Sequence, residues 1–88
     1  MIEVHQYGRQ LIGMKLFKEA MDVFKMNYEK YPKEFTTIMG MARGNSAKGD
    51  FTTALKFAIQ ALPLAPDSAN KINVETMIKK LKDNKDVN

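Results

Sequence analysis

Pro32 and Pro66 stand 34 residues apart, and the chain matches itself at that offset. Arg9 falls on Arg43, Phe17 on Phe51, Ala20 on Ala54 and Pro32 on Pro66. Similar types coincide elsewhere: Val4 with Ile38, Gly8 with Ala42, Gly13 with Ala47, Met21 with Leu55. A period of this length marks stacked units, each a small supersecondary motif whose apolar face is buried only against its neighbour. In 88 residues the period leaves room for two units and a remainder.

The units read as helix pairs. No run alternates apolar and polar residues or is rich in β-branched types, so strands have no sequence support. The first stretch, about Ile2 to Gly13, sets Val4, Tyr7, Gly8, Leu11 and Met14 on one stripe with helical spacing. The second, about Lys15 to Tyr31, carries Phe17, Ala20, Met21, Phe24 and Tyr28, and Pro32 stops it. The third, about Glu34 to Lys48, carries Ile38, Met41, Ala42 and Asn45. Turns are expected at Gly49-Asp50 and, marked by Gly13, near Met14-Lys15. A fourth helix opens at Asp50, whose carboxylate can accept from first-turn amides. It carries Ala54, Ala58 and Ala61 and is ended or kinked at Pro63. A last helix starts near Ser68–Asn73 with Val74, Met77, Ile78 and Leu81 on one side, and residues 83–88 read as a frayed polar end. The fold class is therefore all-α, with five helices forming two antiparallel pairs and a cap.

Composition removes whole classes of function. The chain has no cysteine and a single histidine, His5, so thiol chemistry, cysteine zinc sites and multi-histidine metal centres are excluded. It carries no Gly-x-Ser-x-Gly, no phosphate-cradling glycine loop and no His-x-x-x-His. The expectation is a non-enzyme without cofactors. The net charge is +4, from 12 lysines and 2 arginines against 10 acids, but lysines alternate with acids, as in Lys18-Glu19 and Lys82-Asp83. That pattern describes a solvated surface rather than a clustered basic face, so nucleic acid is not the expected partner. No apolar run reaches the roughly 18–20 residues of a membrane span, and no signal peptide is visible at the start.

Residue by residue, the chain resembles the tetratricopeptide repeat family. Its first repeat reads Val4, Tyr7-Gly8, Leu11, Ala20, Phe24, Pro32, and its second Ile38, Met41-Ala42, Asn45, Ala54, Ala58, Pro66. Departures stand at Val4, where the family has a large aromatic, at Asn45 in an aromatic position, and at Ala58 in place of Phe. The last helix joins the pattern after a two-residue insertion, with Val74, Met77, Ile78 and Leu81 in the places of Val4, Tyr7, Gly8 and Leu11. The resemblance implies one domain over 1–82: repeat one 1–34, repeat two 35–68, a capping helix about 69–82, then a polar tail 83–88. The sequence also looks like the C-terminal repeat segment of larger exported bacterial proteins of unassigned function. Cytoplasmic location is the default expectation, and periplasmic or exported location follows if the chain is part of such a protein.

Beside the core stripe, Ile2, His5, Arg9 and Ile12 form a second stripe on the first helix, matched by Thr36, Met39, Arg43 and Ser46 on the third. In the tetratricopeptide family these positions line a concave groove that receives an extended peptide or a partner's helix. The resemblance thus implies a protein–protein interaction module with those eight residues as its groove. Both arginines of the chain fall there, one per repeat. Packed helices lie about 8–10 Å apart, so two guanidiniums could converge on one carboxylate, acidic or C-terminal. The same two arginines could equally be solvated residues copied by duplication. A carboxylate clamp of the family's known type is not matched, since His5, Arg9 and Gly40 stand where it has Lys, Asn and Asn. Two other readings stay open: a structural or self-associating appendage of a larger polypeptide, with a homodimer through the edge of the first helix at Tyr7 and Met14, and, more distantly, an RNA-binding helical repeat.

Overall fold

The computed structural model describes all 88 residues, Met1–Asn88, and every regular element is helical. The order is α1 (Ile2–Gly13), α2 (Phe17–Lys30), α3 (Phe35–Ala47), α4 (Phe51–Ala61), a 3-10 turn (Leu62–Leu64) and α5 (Ser68–Lys82). The five helices expected from the hydrophobic spacing are present, within two residues at each end.

Local chemistry explains the ends. Tyr31, before Pro32, is pushed out of the helical region to φ −132°, ψ 69°, and α2 stops at Lys30. The Asp50 side chain accepts from the Thr53 amide at 3.1 Å and starts α4. Asp67 does the same for α5, accepting from the Asn70 amide at 2.8 Å. Pro63 cannot donate into α4, and the chain tightens there into the 3-10 turn.

Three helices close with the same C-terminal device. After α3, the Gly49 amide bonds to Ser46 O (3.0 Å) and the Asp50 amide to Asn45 O (2.9 Å), with Gly49 at φ +88°. After α1 the equivalent bonds are Lys15 to Ile12 (2.9 Å) and Leu16 to Leu11 (2.9 Å), and Lys15 itself takes the left-handed φ of 61°. The turn expected near Met14-Lys15 is formed there, with the left-handed position on a residue that carries a Cβ. After α5, Asn84 at φ 57° plays the same part, with its amide on Leu81 O and the Lys85 amide on Lys80 O.

Helix α1 packs on α2, α3 on α4, and α3 also lies against α1 and α2, while α5 closes the far side of α4. The first pair is antiparallel: Asn27, at the end of α2, donates from Nδ2 to the Met1 carbonyl at 3.0 Å. Central α3 is buried on nearly every side, including Thr37, Ile38, Gly40, Ala42, Gly44 and Asn45. Asn45 donates from Nδ2 to the Met41 carbonyl at 2.8 Å, which gives a buried amide a partner within its own helix.

The first pair is built around the Phe24 ring. A Cβ on Gly8 would stand 2.5 Å from Phe24 Cε1, and one on Gly40 2.7 Å from Cδ1. A Cβ on Gly44 would meet Met21 Sδ at 2.9 Å and Phe24 Cδ2 at 3.0 Å. The three glycines therefore form a cradle that lets α1, α2 and α3 close over one ring. The second core joins Ile38, Met39, Ala42, Ala54, Ala58, Ala61, Val74, Met77 and Leu81.

Two expectations are corrected. Tyr7 (54% exposed) and Met14 (66%) do not belong to the core. Helix α1 instead turns His5, Gly8 and Leu11 inward, because it must meet α3 as well as α2. Residues 83–88, expected as a frayed polar end, fold back on the molecule: Val87 packs against the second core, and Asp86, Val87 and Asn88 bond to α3.

Candidate binding groove

A recess of about 300 Å³ opens where α1, α3 and the start of α5 face one another. Helix α1 contributes Ile2, His5, Gln6 and Arg9, α3 contributes Phe35, Thr36, Met39 and Arg43, and α5 contributes Asn70 and Asn73. The glycine cradle positions it, since Gly40 brings α3 against Phe24 and His5 and so sets the two stripes side by side.

Six of the eight residues expected to form the groove line this recess: Ile2, His5, Arg9, Thr36, Met39 and Arg43. The other two do not. Ile12 is half-buried against the Leu11–Phe24 core. Ser46 is fully buried, with its hydroxyl donating to Asp86 Oδ1 at 2.6 Å and accepting from the Val87 amide at 3.0 Å. Four lining residues were missed: Gln6, Phe35, Asn70 and Asn73. Asn70 and Asn73 share a face of α5 with Met77, at spacings of three and four, but nothing in that spacing sets the face against α1 and α3.

The electrostatics follow from burial. His5 is 8% exposed, with its ring tilted against Phe24 at a centroid distance of 5.5 Å. Burial, then the charges of Arg43 and Arg9, lower its pKa to about 4, so at neutral pH it is an uncharged floor. Its Nδ1 has no hydrogen-bond partner and lies where a Cβ on Gly40 would be 3.3 Å away. Burial and the neighbouring Arg9 also lower the Arg43 pKa, while Asp86 counteracts them. No carboxylate lines the recess, so two guanidiniums face it without an acid among its walls.

A larger depression of about 530 Å³ lies beside the 3-10 turn, lined by Leu62, Pro63, Ala65, Asp67, Ser68 and Lys71. Its one acid, Asp67, is committed to capping α5, and it gathers no comparable set of like charges. No group of three His, Cys, Asp or Glu side chains stands where it could hold a metal ion. No helix is long and apolar enough to cross a membrane. Comparison with protein-family models, curated proteins and solved structures finds no match for this chain.

Proposed function

We propose that the chain is a non-catalytic interaction module of the tetratricopeptide type that holds an extended protein segment on the face shared by α1, α3 and α5. The observation that carries this reading is the recess itself. Arg9 and Arg43 line it together, their charges act on each other, and the acid that partly offsets Arg43, Asp86, lies outside its walls. A carboxylate of a partner would relieve that repulsion and can be gripped by guanidinium forks. The apolar walls, Ile2, Phe35 and Met39, would take the neighbouring side chains, and Asn70, Asn73, Gln6 and Thr36 offer amides and a hydroxyl to an extended backbone.

The test is a titration with two hexapeptides of one apolar sequence, one ending in a free carboxylate and one amidated, followed by amide chemical shifts. The carboxylate form should move the signals of Arg9, Thr36, Met39, Arg43 and Asn73. Replacing both arginines by Gln should weaken it at least several-fold while the melting temperature stays within a few degrees. Equal binding of the two peptides, or an unaffected double variant, would refute the reading.

One observation favours a second reading, self-association. Tyr7 and Met14 stay exposed on the outer edge of α1, which no other helix of the chain covers. Pairing of two such edges about a twofold axis would bury them. Sedimentation over a concentration series separates this dimer from a monomer, and Tyr7→Ser with Met14→Ser should abolish it.

A further inference from the structure

Beside the recess, one turn past Arg43 on α3, Ser46 is covered by the chain's own residues 86–88. Asn84 reverses the chain after α5, and residues 86–88 then run back along α3 in the opposite direction. Asp86 meets Ser46, the Val87 amide meets the Ser46 hydroxyl, and Asn88 Nδ2 donates to the Arg43 carbonyl at 3.0 Å. Between these bonds the Val87 side chain rests on the core that contains Ile38, Met39, Ala42 and Leu81.

We propose that Asp86-Val87-Asn88 is a resident occupant of the α3 surface beside the recess, a strap that an incoming extended segment of the same chemistry displaces: an acid, then a small apolar residue, then an amide. The proposal rests on the groove reading only in the direction of the ligand; the strap and its seat stand on their own contacts. Each contact is of a kind a partner segment can replace. A carboxylate accepts from Ser46, a backbone amide donates to the Ser46 hydroxyl, a β-branched side chain covers the apolar seat, and an amide reaches the Arg43 carbonyl. Ser46 is fully buried under the strap, so opening it uncovers both a polar anchor and the apolar surface beside it.

The strap is also built to open. Its residues are exposed apart from the half-buried Val87, and it is held by few bonds at the protein surface, the pattern of a segment that unseats without global unfolding. Burial pushes the Asp86 carboxyl up, but hydrogen bonds from Ser46, Asn88 and Val87 outweigh it and hold the carboxyl below its ordinary value. Asp86 also offsets part of the repulsion on Arg43, which links the seat to the recess beside it.

Two measurements on the full chain test this. First, the Val87 amide should exchange with solvent at least ten-fold more slowly than a free amide, and Ser46→Ala should remove that protection while helix content is kept. Exchange at the free rate in the unaltered chain would overturn the proposal. Second, a blocked peptide of sequence Asp-Asn-Lys-Asp-Val-Asn is titrated into the unaltered chain and into the Asp86→Ala, Val87→Ser variant. The variant should bind at least ten-fold more tightly, with shifts at Ser46 and Arg43. Equal affinity, or shifts away from Ser46, would overturn it. The outcomes separate from those of the groove reading: loss of carboxylate binding with Arg9→Gln and Arg43→Gln, together with equal hexapeptide affinity for the unaltered chain and the Asp86→Ala, Val87→Ser variant, would keep the groove and discard the strap. The reverse result would keep the strap and discard the groove.

Discussion

In the α1–α2 pair a single large side chain, Phe24, occupies the space between helices, and glycines from two of them leave room for it. In the α3–α4 pair the corresponding position is Ala58, and the interior is made from three alanines of α4 closed by Val74, Met77 and Leu81 of α5. Both solutions seal a helix pair without a cavity, but they distribute the burden differently. The first concentrates it on one ring and on three missing Cβ atoms. The second spreads it over many small contacts and depends on the last helix. The first solution is also the one that builds the groove, because Gly40 carries α3 close to His5 over the ring.

The sharpest way to break the contrast is Phe24→Ala. It should cost about 3–5 kcal/mol, since the cradle is rigid backbone that cannot collapse into the void. A urea midpoint shift equal to that of Ala58→Gly, which should cost only about 1 kcal/mol, would show that the ring is not the keystone. Overpacking comes next. Ala20→Leu, Ala54→Leu and Gly8→Ala should each cost about 1–3 kcal/mol, by pressing on contacts with no free volume. Gly8→Ala should become neutral or stabilising in a Phe24→Leu background, where the clash at 2.5 Å is gone.

His5 separates the two pairs by pH. Its ordinary pKa is 6.5 and its folded value about 4. Below pH 6.5 the unfolded chain takes up a proton that the folded chain refuses, so stability falls as pH drops from about 6.5 to about 4 and then levels off. The loss should be about 1–2 kcal/mol, less than the full shift implies because the groove admits water. Thermal melts in this window should show the decline for the unaltered chain and not for His5→Gln. The share due to Arg43 and Arg9 should shrink in high salt.

The smallest effect sharpens the comparison at matched turns. Lys15 and Gly49 are 34 residues apart and close the same motif, one with a Cβ at φ 61°, the other without one at φ +88°. Lys15→Gly should stabilise by about 1 kcal/mol and Gly49→Ala should destabilise by a similar amount. Equal midpoints for the two variants would mean that the turns are not equivalent.

Much of this was legible from residue spacing. Helix periodicity, the Pro32 and Pro66 stops, the Asp50 cap and the placement of both arginines on one face depend on neighbours a few residues away, and such local rules act wherever the chain lies. The exposure of Tyr7 and Met14 was not, because a stripe shows which residues share a side of a helix but not which part of that side meets another helix. With α3 packed against it, α1 rotates His5 inward and leaves Tyr7 and Met14 outside.

Five helices, their ends, the 34-residue period and a stripe of which six residues line the recess follow from residue order alone, because hydrogen-bond geometry, capping and proline sterics are set within one or two turns of chain. Tertiary structure alone decided three further things: the neutrality of His5, the entry of Asn70 and Asn73 into the recess, and the burial of Ser46 beneath Asp86 and Val87. Each depends on segments distant in sequence packing together: α1 against α3, α5 beside both, and the chain's last residues on α3. Burial and long-range charge are properties of that proximity, and no local pattern in the chain encodes it.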